Sequence, residues 1–308
     1  MATMELPVVV GVDGSDASLT AVDWAADEAV RHGRPLRVVH ASLWERYEGV
    51  EPDPAADRPA EQLLAETIAA AAAERAGQRA PGLAVTADVA ATDAATALLD
   101  AAQEAVLLVV ADRGRGAVAG LLLGSVSLLV AARAHCPVVV VRGDRQALDG
   151  EHGRVLLGIG DHDVDSPAVR FAFRAAAVRD AELDAVRTWR RPLHEPADHP
   201  LLAGAPGTYH AQRAGELLDE ALAAAVRDRP GVRLRRSTPE GTARRTMTAW
   251  SAAADLLVLG ARRRGGVFGR EFGGVVHRAL HHAVCPVAVV PQRRPATAEA
   301  PEEPEEEP

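Results

Sequence analysis

Lysine is absent from this chain, and all 34 of its Lys/Arg positions are arginine. That excludes a phosphate-loop lysine of the GxxxxGK[ST] type, a Schiff-base lysine and the ATP-contacting lysine of protein kinases. Cysteine is scarce, two in 308 residues, too few for a disulfide framework or a Cys-rich zinc centre. Aromatic residues make up only 3%, so the core must rest on valine, leucine and close-packing alanine. No apolar run is long enough for a membrane-spanning helix. The start, Met1 to Leu6, has no basic residue followed by an apolar block, so no secretory signal is expected. These absences lead us to expect a soluble cytoplasmic protein.

What is present is ordinary globular composition, 48% hydrophobic and 25% charged. The length is about twice a typical domain of roughly 150 residues, which points to two domains. Net charge is −9, and six of the excess negative charges are the glutamates of Pro295–Pro308, a stretch with no basic residue. A Pro/Glu-rich segment buries too little apolar surface to offset its ordering entropy, so it reads as a disordered, solubilising tail. A protein-binding tail is the sharper alternative.

The two domains are copies. Val8-Val9-Val10-Gly11-Val12-Asp13 returns as Val155-Leu156-Leu157-Gly158-Ile159-Gly160, offset by 147. Leu36–Ala41 matches Leu183–Thr188 at the same offset, and Ala134–Val141 matches Ala283–Val290 at 149. Duplication is the strongest organisational feature. In each half, Val/Leu runs bounded by Gly, Pro or Asp alternate with Ala-rich helical stretches, the pattern of a doubly wound parallel α/β sheet with helices on both faces. We expect domains at 1–145 and 152–293, an acidic tail at 294–308, and a linker over Arg142–Gly153.

An open parallel sheet binds ligands at the carboxyl ends of its strands, at the switch point between the first and fourth. Those turns read Gly11-Val12-Asp13-Gly14-Ser15 and Ala111-Asp112-Arg113-Gly114-Arg115-Gly116…Gly120…Gly124-Ser125-Val126-Ser127. Glycines let the backbone approach an anion, and Gly124-Ser125 opens a helix whose free N–H groups point at it. Asp13 is placed to accept from a ribose hydroxyl or an adenine amino group; capping the first helix is its bland alternative. Arg113 and Arg115 are candidate phosphate clamps.

Together with His40-Ala41 and His135-Cys136-Pro137-Val138, these motifs make the chain resemble a tandem universal stress protein, over about 7–142 and 154–291. The resemblance implies two five-stranded sheets of order 3-2-1-4-5, ATP binding, a stress-response role and a homodimer, without strong catalysis. The family motif Gly-x2-Gly-x9-Gly-[Ser/Thr] falls on Ala111, Gly114, Gly124 and Ser125, so the first glycine is replaced by alanine. By the same resemblance Asp13 and the Ala41 backbone hold adenosine, Gly114, Gly124, Ser125 and Val126 hold phosphates, and Ser127 supports them. A divalent ion, magnesium, would ride on the phosphates.

The second half departs further. Gly160 stands in place of Asp13, Arg263 in place of Gly114, and Gly273-Gly274 in place of Gly124-Ser125. One good nucleotide site and one degenerate one are therefore expected.

Other features favour plain readings. Asp161-His162-Asp163-Val164-Asp165 starts like a calcium loop, but Ser166 and Ala172 replace the required Gly and Glu, leaving exposed helix-start acids. His277 and His281 have i, i+4 metal-pair spacing without a third ligand. His194, Glu195, Asp198 and His199 cluster in a loop and could trap an ion adventitiously. Cys136 and Cys285 occupy equivalent positions that should lie far apart, as buried packing thiols. No Ser-His-Asp arrangement supports a hydrolase. Arg262-Arg263-Arg264 and Arg270 lack interleaved aromatics in an acidic chain, so nucleic-acid binding is not expected. The sequence points to an ATP-binding regulator of a stress response with an unknown protein partner. A nucleotide-free scaffold, or a slow ATPase using Asp13 or Asp112 as base, are the alternatives.

Overall fold

The computed structural model describes residues 5–43, 60–114, 123–161, 163–191, 206–262 and 272–292. The Val/Leu runs form β1 (Val8–Val12), β2 (Leu36–Ala41), β3 (Val85–Ala90), β4 (Leu107–Ala111) and β5 (Val138–Val141). Their second-half counterparts are β6 (Arg154–Gly158), β7 (Glu182–Val186), β8 (Leu234–Ser237), β9 (Leu256–Arg262) and β10 (Val287–Gln292). The helices are α1 (Asp16–His32), α2 (Ala60–Arg79), α3 (Ala94–Ala101), α4 (Ser125–Arg133), α5 (Arg145–Asp149), α6 (Pro167–Arg179), α7 (Pro206–Asp228), α8 (Ala243–Trp250) and α9 (Gly274–His282).

Each half has the strand order 3-2-1-4-5, with parallel pairs throughout. The two sheets then fuse. β5 pairs antiparallel with β10, Val138 opposite Val289 and Val140 opposite Val287, giving one ten-stranded sheet. Each half's exposed fifth strand finds its hydrogen-bond partners in the other copy, which removes two edges at once. The halves are thereby related by a pseudo-twofold axis at that pair. Cys136 and Cys285 end up about six strand residues apart in this register, roughly 20 Å, so they are not a redox pair.

Alternation along the strands sends side chains to two apolar layers. Val8 and Val10 join the layer under α1, α2, α6 and α7; Val9 joins the layer under α3, α4, α8 and α9. Helices come very close to the first strand of each half. A Cβ on Gly11 would press into Leu98 of α3, and one on Gly158 into Leu259 and Met247, so glycine is required at both equivalent positions. Local chemistry sets the helix ends: Ser15 accepts from the Ser18 N–H to start α1, and Gly33 ends it at φ 60°. Ser166 caps α6, with Pro167 in its first turn.

The segment expected to be a linker is ordered. Asp144 accepts from the Ala147 N–H to start α5, Gly150 ends it, and the Asp144 N–H donates to the Val284 carbonyl. The short helix, with Ala147 buried, packs into the joint between the halves rather than separating them.

On the other face the joint is ionic. Ala21, Trp24, Ala25 and Glu28 form one buried stripe of α1, and Glu28 is 0% exposed. Its Oε2 accepts from Arg179 Nη2 of α6 at 2.5 Å, and its Oε1 lies 3.0 Å from His32 Nε2. Arg179 also covers the Trp24 ring. Burial alone would push the Glu28 carboxyl up; Arg179, His32 and Arg31 override this and hold it down at about 2. His32 and Arg179 are the same position in the two copies, so one carboxylate ties both together.

Candidate functional site

The first-half switch point is the edge where β1 and β4 deliver their carboxyl ends. Asp13 follows β1. Its Oδ1 accepts from the Ser15 N–H at 3.0 Å and the Ser15 hydroxyl at 2.6 Å, so half of the carboxylate organises the turn into α1. Its Oδ2 faces Gly114, where any Cβ would collide with it. Here glycine is needed for close approach of backbone to carboxylate. Ala111 keeps φ below zero, so the extra methyl relative to glycine is accommodated, and it is buried at the end of β4.

The β4 exit and α4 are tied together. The Gly124 N–H donates to the Asp112 carbonyl at 2.8 Å, and the buried Ser127 hydroxyl donates to the Ala111 carbonyl at 2.7 Å. Ser127 thus fixes α4 against the strand, a supporting position. Gly124 is the N-cap of α4 and, having no side chain, makes no side-chain cap hydrogen bond to its first turn, which holds exposed Ser125 and half-buried Val126. Ala41 ends β2, where the register continues opposite Asp13; beside it, buried His40 Nδ1 lies 2.8 Å from the Val12 carbonyl. Asp13, Ala41, Ala111, Gly114, Gly124, Ser125, Val126 and Ser127 therefore share one sheet edge. Arg113 is exposed, and its Nε lies 3.5 Å from Asp112 Oδ2. Arg115, Gly116 and Gly120 lie outside the described residues.

The equivalent edge of the second half is filled by its own side chains. Asp163 is buried; its Oδ2 accepts from the Gly160 N–H at 2.6 Å and its Oδ1 from Gln292 Nε2 at 2.8 Å. Gln292 reaches across Gly260, where a Cβ would collide with its amide. Arg187, at the position of His40, donates to the Gly160 carbonyl at 2.7 Å and to Asp161 Oδ1 at 2.5 Å. These groups satisfy one another at the second-half switch point. At the start of α9, Gly274 lies under the Arg244 guanidinium, and Val276 replaces Ser127.

A model of the universal stress protein family matches residues 5–142 and 151–291. The chain belongs to the universal stress protein family. A universal stress protein of Mycobacterium bovis is 32% identical over 303 residues, covering 92% of this chain and 97% of its own. A solved universal stress protein from Archaeoglobus fulgidus has the same fold at 17% identity, covering 93% of this chain and 98% of its own with TM-score 0.68. A solved universal stress protein in complex with cAMP is 30% identical, covering 45% of this chain and 98% of its own, with TM-score 0.35.

Against this family background, the acids after β6 need correcting. They are not all exposed helix-start residues: Asp163 is an internal acceptor, Asp161 pairs with Arg187 and Asp165 with Arg170. His162 lies outside the described residues. Gln292 was missed, although its place opposite Gly143 in the duplicated alignment marks it as an added side chain at the switch point. The His277 and His281 rings lie 4.6 Å apart between centroids, tilted by 39°, and burial together with His277, His282 and Arg142 pushes the His281 pKa down. Among the described residues no group of three or more His, Cys, Asp or Glu could hold a metal ion. The clusters at His194–His199 and Arg263, Arg264 and Arg270 lie outside the described residues. No helix among the described residues is long and apolar enough to cross a membrane.

Proposed function

We propose that the first half binds ATP and that occupancy of this site regulates a protein partner during stress, while the second half serves a structural role. The observation that carries this reading is the juxtaposition of Asp13 Oδ2 with the side-chain-free Gly114 backbone, beside the uncapped start of α4. A carboxylate at this strand end suits a ribose hydroxyl or adenine amino group as an acceptor. A helix start without a capping side chain suits phosphate oxygens, and a lysine is not needed where backbone donors do that work. In this reading Asp13 and the Ala41 backbone hold adenosine; Gly114, Gly124, Ser125 and Val126 hold phosphates, with Ala111 beneath and Ser127 behind them. Magnesium enters only as the companion of the phosphates. The scaffold alternative fits the second half, whose Asp163–Gln292–Arg187 cluster occupies the corresponding edge.

The homodimer expected of the family is part of the proposal. With β5 and β10 joined, the free strand edges among the described residues are β3 and β8, so a second copy would use those edges or a helical face. The nucleotide reading is tested by denaturing the purified protein, identifying any released nucleotide, and measuring the heat of ATP binding to the emptied protein. Released adenine nucleotide or a saturable heat supports it. The absence of both signals would overturn it in favour of the scaffold.

A further inference from the structure

The outward faces of α1 and α6, equivalent helices in the two copies, carry opposite charge. On α1, Asp23 and Asp27 lie one turn apart and face α2. Arg75 donates to both oxygens of Asp23 at 2.7 and 2.6 Å, and Arg79 to both oxygens of Asp27 at 3.0 and 2.8 Å. At the same offset of 147, α6 carries Arg170 and Arg174. Both carboxylates have become guanidiniums.

The reversal leaves part of this group of cations without counter-charges among the described residues. Arg170 is bound by Asp165, and Arg34, just past α1, lies 3.8 Å from Glu5. Among the described residues neither Arg174 nor Arg229, just past α7, has an ion-pair partner. Partial burial and then the guanidiniums of Arg229, Arg170 and Arg34 push the Arg174 pKa down, the signature of cations crowding one another. Four arginines from both halves thus form one positive patch on a chain of net charge −9.

The same chain carries a complementary segment. Residues 295–308 hold six glutamates and no cation. This segment follows β10, whose last residue, Gln292, is hydrogen-bonded to Asp163, three residues before the Ser166 cap of α6. The last described residue of β10 therefore lies beside the start of α6. Seven residues from Gln292 to Glu299 span at most about 23 Å, and the 13 residues of α6 measure about 20 Å. The prolines at 295, 301, 304 and 308 favour extended backbone, which preserves that reach.

We propose that the acidic segment 295–308 docks in cis on the patch of Arg34, Arg170, Arg174 and Arg229, as an electrostatic strap over α6. It is held by charge rather than by burial, so it is sensitive to salt. The proposal is independent of nucleotide binding.

A spin label placed by Ala300→Cys in the full chain tests it through its broadening of backbone amide signals. Cys136 and Cys285 do not compete for the label, because burial pushes both thiols up, Cys136 to about 11. At about 0.01 M salt the amides around Arg170 and Arg174 should lose roughly half their intensity or more, and regain it near 1 M as the screening length falls from about 30 Å to about 3 Å. The double variant R170D/R174D, which installs the aspartates of α1, should abolish the broadening. Replacing the six glutamates of 295–308 by glutamine should abolish it too, with the described fold untouched. Broadening that survives both changes would overturn the proposal. So would broadening seen only between molecules in a mixture of spin-labelled and isotope-labelled chains, which would mean that the segment reaches a second copy.

Discussion

The two halves share a fold, and both start the helix after their fourth strand at a glycine N-cap without a side-chain cap, α4 at Gly124 and α9 at Gly273; they differ at the ends of the first and fourth strands. The first half presents Asp13 against bare Gly114 backbone. The second fills the same edge with Asp163, Gln292 and Arg187, whose polar groups answer one another. In the second copy the residues at the strand ends are tied to one another. Buried polar groups need partners, and there neighbouring side chains provide them.

Six variants sharpen this comparison. The largest effect is expected at the joint that keeps unequal halves together. Glu28→Ala leaves Arg179 buried without its counter-charge and should cost about 3–5 kcal/mol by denaturant unfolding. The pH dependence follows the sign of the shift. The Glu28 carboxyl titrates at about 2 when folded, well below its unfolded value near 4.5. Its contribution is therefore fully present above about pH 4.5 and is lost as pH falls toward 2. Glu28→Gln should flatten that part of the stability profile, and an unchanged acid limb would contradict the ionic account of the joint.

Next, Gly124→Glu places a carboxylate at the proposed phosphate position and should weaken ATP binding by about 100-fold or more, roughly 2.7 kcal/mol, with little change in stability. The matching change in the second half, Gly273→Glu, should leave ATP binding as it was. In the second half the effect falls on stability instead. Asp163→Ala strips the partners from the Gly160 N–H and the Gln292 amide, and should cost about 1–3 kcal/mol of stability without touching ATP affinity. Smallest of all, Asp27→Ala removes an exposed pair with Arg79 and should cost less than about 1 kcal/mol.

Much of the fold was legible in the chain because strands of a doubly wound sheet are short Val/Leu runs between turn residues, and the repeat offset aligned one half on the other. The β5–β10 junction was not legible: Val138–Val141 looks the same whether its outer edge meets solvent or Val287–Val290. The first-half site residues shared an edge because their positions follow from strand ends alone. The second-half closure was harder. Asp163 stood in a calcium-like run and looked exposed, and Gln292 lay beyond the apolar part of β10, so their meeting depended on tertiary packing. Glu28 did carry a signal, an acidic residue on the stripe of Ala21, Trp24 and Ala25, where burial demands a partner.

The most direct test of this asymmetry is the number of ATP molecules bound per chain, measured by calorimetry on nucleotide-free protein of known active concentration. One per chain, abolished by Gly124→Glu and kept in Gly273→Glu, is the predicted result. Two equivalent sites, or a single site that survives Gly124→Glu, would contradict it.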